Sequence, residues 1–144
     1  MMTRIFAWFG RFHVLVIHFP IALLAAAAFA EAIAALRGSR IPSPAVRFCV
    51  FLGAASALAA VALGWLHADV GGFGGASNIL SIHRWLGTFA GLGATALAVV
   101  SERESRRGRR SVSFRIALWT ATCAVGATAH FGRLMVHGNG FLDL

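Results

Sequence analysis

Long apolar stretches alternate with short polar breaks along this chain. Four stretches are readable, at about 12–36, 46–68, 81–100 and 112–134, and Gly, Pro, Ser and Arg break each from the next. A helix that crosses the hydrocarbon core of a bilayer needs about 20 predominantly apolar residues. The pattern therefore predicts an all-α fold, an integral membrane four-helix bundle. It forms a single domain over residues 1–144, with no sequence left over for a second.

Composition agrees. Hydrophobic residues make up 58% of the chain, charged residues 12%, and the mean hydropathy is +0.76. Soluble domains carry about 25% charged residues, so water is the wrong solvent for this sequence. The net charge of +8 raises a nucleic-acid reading, but placement explains the charge better. All thirteen basic residues are Arg. Arg37, Arg40 and Arg47 lie at the first break, and Arg103, Arg106, Arg107, Arg109, Arg110 and Arg115 at the third. Arg4, Arg11, Arg84 and Arg133 lie at the opposite ends of the spans. Nine against four is a strong positive-inside bias. It puts the first and third loops in the cytoplasm and both termini in the periplasm of a bacterial inner membrane. The basic run SERESRRGRRSVSFR then serves topology and meets anionic lipid headgroups, with no nucleic-acid partner.

Arg4 and Arg11 ahead of an apolar stretch, with Ala28-Phe29-Ala30 downstream, imitate a signal peptide. His18 and Pro20 inside the stretch argue against cleavage, so the segment is expected to be retained. Pro20 lacks a backbone donor, which should kink the first span and free a carbonyl about one turn before it. Glu31 is the one acid inside a span, expected near Arg37 or Arg115. Cys49 and Cys123 lie within separate spans and are expected to be free thiols that pack as small hydrophobes. The second loop, with Gly71, Gly72, Gly74 and Gly75, should be flexible and external. Ser77 or Asn78 should cap the third span. Gly87 and Gly91 form a GxxxG pair that serves either close helix packing or a flat cofactor against bare backbone. Trp8, Trp65 and Trp85 read as interfacial anchors, with Trp119 deeper. Gly138 and Gly140 should end the last helix.

The candidate chemistry is in the histidines. His13 and His18 open the first span, His67 closes the second, His83 opens the third, and His130 and His137 end the fourth. Antiparallel helices bring these ends to one side of the membrane. Imidazole is the commonest metal ligand, and ionisable groups inside a bilayer usually mark function. His18 and His130 fall in a deeper tier by helical rise, and the others are shallower. His13 and His18 are about 140° apart around a straight helix, which is no metal clamp unless Pro20 distorts the turn. Three uses compete: one b-type haem between two histidines on facing helices, a copper or zinc site of three or four imidazoles, and histidines that only bond to one another and to carbonyls. No histidine lies in the cytoplasmic half, so one haem is the ceiling. Arg11, Arg84 or Arg133 would pair with its propionates, and Gly87, Gly91 and Gly132 would admit the ring.

FHVLVIHFPIALL resembles the opening H-P-L-L-V-H-F-P-I-G of a bacterial family of small four-helix membrane proteins of unknown function. That module also occurs fused ahead of c-type cytochrome domains in planctomycete-like proteins. HRWLG in the third span matches too, and the ending AHFGRLMVHGNGFL resembles G-H-x-G-G-x-x-x-H-G-x-x-[YF]-L. His13, His18, His83, His130 and His137 occupy family positions; His67 is unmatched. Val14 stands where the family usually has Pro and Arg133 where it often has Gly, and neither change removes a candidate ligand. The resemblance implies a part in periplasmic electron transfer, by association and not by mechanism.

The expectation is a membrane subunit that holds haem b and links the quinone pool to a periplasmic c-type cytochrome or a larger redox complex. His18 and His130 are the preferred axial pair, with His83 the first substitute and Arg84 and Arg133 beside them. His13, His18, His83, His130 and His137 are the candidate metal ligands if copper or zinc is bound instead. The alternative is a non-redox accessory subunit with structural or pH-sensing histidines. A transporter ranks third, because the cytoplasmic half offers only Glu31 and small hydroxyls.

Overall fold

The computed structural model describes Trp8 and residues 12–70 and 78–137. The described residues are helical apart from short connections. The first span is two pieces, α1 (His13–Val16) and α2 (His18–Leu36). The break between them is at Ile17, which keeps helical angles. Pro20, at the start of α2, cannot donate to the carbonyl one turn back, so the ladder lapses there, as the sequence predicts. α3 (Pro44–Val70), α4 (Asn78–Arg106) and α5 (Val112–His137) follow. Pro44 takes the first helical position of α3, where a missing N–H costs nothing. Ser111 caps α5: its Oγ accepts from the Phe114 N–H at 3.0 Å. The glycine loop, Ser77, Arg4, Arg11, Gly138 and Gly140 lie outside the described residues.

Among the described residues, four helices are long and apolar enough to cross a membrane: His13–Leu36, Pro44–His67, Asn78–Arg106 and Val112–Met135. Three agree with the sequence reading to within a few residues. α4 runs six residues beyond the expected end, through SERESR. Glu102 and Arg106, one turn apart, hold this extension with a 2.8 Å ion pair. Ser101 and Glu104 on its other face are buried.

The first span packs on α3, α3 on α4, α4 on α5, and α5 on the first span, so the bundle closes in chain order. Leu24, Val50, Ala94 and Leu118, one from each span, are wholly buried and form a layer across the middle. Only 22–33% of each span's apolar window is buried inside the bundle. Phe29, Phe48, Phe89, Leu92 and Ile116 point outward. A soluble monomer does not display so much contiguous apolar surface, whereas lipid accepts it. Helical hydrogen bonding within each span meets the demand that hydrocarbon places on backbone polar groups.

The GxxxG pair resolves as packing on two neighbours. A Cβ on Gly87 would sit 3.2 Å from the Thr128 methyl of α5, and one on Gly91 would sit 3.1 Å from Val61 of α3. Neither glycine leaves a slot for a flat ring. Cys49 and Cys123 are free thiols.

At the end bearing the first and third loops, the bundle closes over charge. Glu31 is buried and shared by two guanidinium groups: Arg110 Nε donates to Oε1 and Arg115 Nε to Oε2, both at 3.0 Å. Arg115 also donates to the Ser39 carbonyl. Arg110 lies 3.6 Å from Glu104 Oε2 and stacks 3.9 Å above the Phe114 ring. Ser111 Oγ donates to Glu104 Oε1. The expected Arg115 partner for Glu31 is present, and Arg110, read from sequence as part of the basic run that meets lipid headgroups, is the more deeply buried one.

Candidate functional site

At the opposite end of the bundle, the sequence places an imidazole at the start of the first span and another near the start of α4. These two spans are diagonal in the bundle, so their inner faces oppose each other. His13 and His83 meet there, ring centres 6.3 Å apart and planes at 86°. Both are partly buried.

Each ring is held in the same way. His13 Nδ1 lies 2.8 Å from the Ala60 carbonyl oxygen of α3. His83 Nδ1 lies 2.9 Å from the Thr128 carbonyl oxygen of α5. A carbonyl only accepts, so each Nδ1 carries the proton and donates it, and each Nε2 keeps its lone pair. Each ring also lies against a glycine one helical turn beyond its carbonyl. A Cβ on Gly64 would meet His13 Cε1 at 2.9 Å, and one on Gly132 would meet His83 Cε1 at 3.0 Å. Any larger residue would push the imidazole off its seat.

The other histidines are placed differently. His18 and His130, the pair preferred from sequence, are both exposed on the outside of the bundle. The His130 ring packs on its own neighbour Phe131, with centroids 6.0 Å apart. Depth along the helix puts those two at one level, but azimuth turns them outward. His67 is partly buried and lies within electrostatic range of His13. His137 ends α5, and its side chain lies outside the described residues. Among the described residues, no three His, Cys, Asp or Glu side chains group closely enough to hold a metal ion. The three- or four-imidazole copper or zinc site has no counterpart there, and the arrangement on view is a two-imidazole one.

A polar and aromatic cluster on α3 and α4 lies at the same end of the bundle. Arg84 stacks 3.9 Å over the Trp65 ring. Trp65 Nε1 donates to Thr88 Oγ1 at 3.0 Å, and Thr88 donates back to the Arg84 carbonyl at 2.8 Å. Trp85 packs edge-on against Trp65 at 5.7 Å. Trp65 and Trp85 thus lie together at the histidine end of the bundle. Arg84 and Arg133 are partly buried at the same end.

Sequence reasoning missed the seat. The signal was a glycine four residues beyond a small residue in the spans that follow each histidine: Ala60 with Gly64, and Thr128 with Gly132. Gly132 was expected to admit a macrocycle, and here it admits the imidazole of His83.

Two imidazoles with Nδ1 bonded to backbone carbonyls are the usual posture of metal-ligating histidines. Two metal–nitrogen bonds of about 2.0–2.1 Å each, plus the half-width of each ring, span about 6 Å. The ring-centre separation of 6.3 Å is of that order. Compared with family models, curated proteins and solved structures, the chain matches none.

Proposed function

We propose that the chain is a multi-pass subunit of a bacterial inner membrane that holds one b-type haem between His13 and His83. It exchanges electrons between the quinone pool and a periplasmic c-type cytochrome or a larger redox complex. The observation that carries this reading is the diagonal pair of imidazoles, 6.3 Å apart, each with Nδ1 committed to a backbone carbonyl. A free Nε2 on each of two facing helices is what axial ligation needs.

The bound haem would supply one-electron chemistry. The chain's own residues would do the rest. Ala60 and Thr128 fix the tautomer and orientation of the ligands, which also raises their basicity. Arg84 and Arg133 supply positive charge at the level of the propionates. The Trp belt sets the site at the membrane surface, within reach of a soluble carrier. His18 and His130 stay outside the ligand set. With nine Arg toward one side and four toward the other, the site belongs to the periplasmic face. The resemblance of the first span to modules fused with c-type cytochromes supports the choice of partner. The test is a reduced-minus-oxidised spectrum of protein purified from its native membrane, with metal analysis on the same sample.

One observation favours a second reading. The seats over Gly64 and Gly132 hold the rings tightly against backbone. Imidazoles so held also tie the first span to α3 and α4 to α5. On that reading the protein is a non-redox accessory subunit with structural histidines. A sample with neither chromophore nor metal would establish it.

A further inference from the structure

The two halves of the chain repeat each other. The correspondence runs through features that share no common cause except position. α2 and α4 end in the same motif: Gly38 has φ +69° and Gly108, seventy residues on, has φ +66°. Gly38 N donates to the Ala35 carbonyl and Ser39 N to the Ala34 carbonyl, both at 2.9 Å. Gly108 N donates to Ser105 and Arg109 N to Glu104, at 3.1 and 3.3 Å. The next helices start alike, Ser43-Pro44-Ala45-Val46-Arg47 against Ser111-Val112-Ser113-Phe114-Arg115. The offset has become sixty-eight, because the third loop is two residues shorter than the first.

Burial follows the same registers. All five buried residues of α2 (Pro20, Leu24, Ala27, Ala28 and Glu31) have buried counterparts seventy positions on, at Ala90, Ala94, Leu97, Ala98 and Ser101. In α3, Val46, Val50, Gly53 and Ala57 are buried, as are Phe114, Leu118, Ala121 and Val125 at an offset of sixty-eight; Ala54 and Ala60 are buried against half-buried Thr122 and Thr128. The histidine seats obey both registers: His13 with Ala60 and Gly64, and His83 with Thr128 and Gly132. A bundle closed in chain order maps onto itself when the first span is exchanged with α4 and α3 with α5.

We infer that the chain is a tandem duplication of one two-helix unit, and that the two-fold axis relating the units runs along the bundle and passes between His13 and His83. Repeats of this parallel kind are a recurring way to build membrane bundles, with sites at the repeat interface. The axis also separates the six histidines. His18 corresponds to Thr88, His67 to Met135, His130 to Ala62 and His137 to Asp69. His67 and His137 are also seventy apart, but in the sixty-eight register of their helices they fall on Met135 and Asp69; His13 and His83 are the pair whose carbonyl and glycine keep register with them.

The seat has a physical reason. Side chains on a helix tilt toward its N-terminus, so the residue at i+4 overhangs the carbonyl of residue i. Glycine at i+4 uncovers that oxygen, which still has a second lone pair to offer an imidazole. Gly64 and Gly132 are therefore positioning residues. If the haem reading holds, on which this last step rests, its two axial ligands are interchangeable.

The test uses the full-length, metal-free chain in bilayers with ¹⁵N-labelled histidine. Nitrogen shifts should show His13 and His83 both protonated at Nδ1 and not at Nε2. Gly64→Ala should move the signals of His13 only, and Gly132→Ala those of His83 only, by similar amounts. An Nε2-protonated tautomer in either ring, or a glycine variant that leaves its own imidazole in place, would overturn the inference. If the variants do not fold, the wild-type tautomers decide alone. Because no metal is needed, a protein without haem would defeat the proposed function and leave this result standing.

Discussion

Arg110 Nε donates to Glu31 Oε1 at 3.0 Å across seventy-nine residues of sequence, and neither side chain reaches the surface. The contact joins the loop before α5 to the first span at the end of the bundle that bears the first and third loops. Removing one partner of a buried pair leaves an uncompensated charge and costs about 3–5 kcal/mol. Glu31→Ala should therefore cost about that much, since it strips Arg110 and Arg115 together. Replacing Glu31 and Arg110 jointly by Leu and Met should cost less, because only Arg115, which is partly exposed and keeps the Ser39 carbonyl, then lacks its carboxylate. Thermal unfolding midpoints of the purified variants in detergent would measure both, and equal losses in the single and double variants would refute the coupling.

Gly38 and Gly108 should respond to Ala alike. Each lies at positive φ, and a Cβ added at either would meet nothing within 4 Å, so strain and not crowding sets the cost. That strain is about 1–2 kcal/mol for an L-residue in this conformation. Both variants should lower stability by similar amounts in the same unfolding assay, with no change at the histidine end. A neutral substitution at either glycine would count against the shared helix ending.

The spans were legible because bilayer crossing leaves a coarse signal, about 20 apolar residues at a time. The last turns of α4 were not. SERESR reads as a polar loop, yet Glu102 pairs with Arg106 while Glu104 turns inward to Arg110. Charged residues on opposite helix faces met different partners, and linear sequence does not show which. The site followed the same logic. Depth along a helix follows from counting residues, so the layer of histidines was visible. Azimuth depends on which neighbours a helix packs against, so His18 and His130 were preferred and His13 with His83 were not. A comparison of the two halves at an offset of seventy would have reduced the six histidines to two pairs, His13 with His83 and His67 with His137, and Gly64 and Gly132 seat only the first.

Topology has its own test. The first and last spans carry their outer ends, and with them both termini, to the histidine end, which the proposed topology places in the periplasm. A reporter fused after Leu144 should be active only in its periplasmic form. Activity of a cytoplasmic reporter at that site would move the histidine pair to the other face and exclude a periplasmic carrier as its partner.

His13→Ala and His83→Ala should each remove one of two required ligands, and bound haem should fall to a small fraction of the wild-type amount in both. His18→Ala and His130→Ala, on the outer surface, should leave it nearly unchanged. The readout is haem-to-protein ratio, with circular dichroism to show that each variant stays helical.

The most direct measurement is the reduced-minus-oxidised absorbance spectrum of the wild-type protein from its native membrane, recorded beside His13→Ala and His83→Ala. The account predicts a low-spin, two-imidazole haem spectrum in the wild type that is lost in both variants. A wild-type sample with no haem, or a normal spectrum that survives both substitutions, would contradict it.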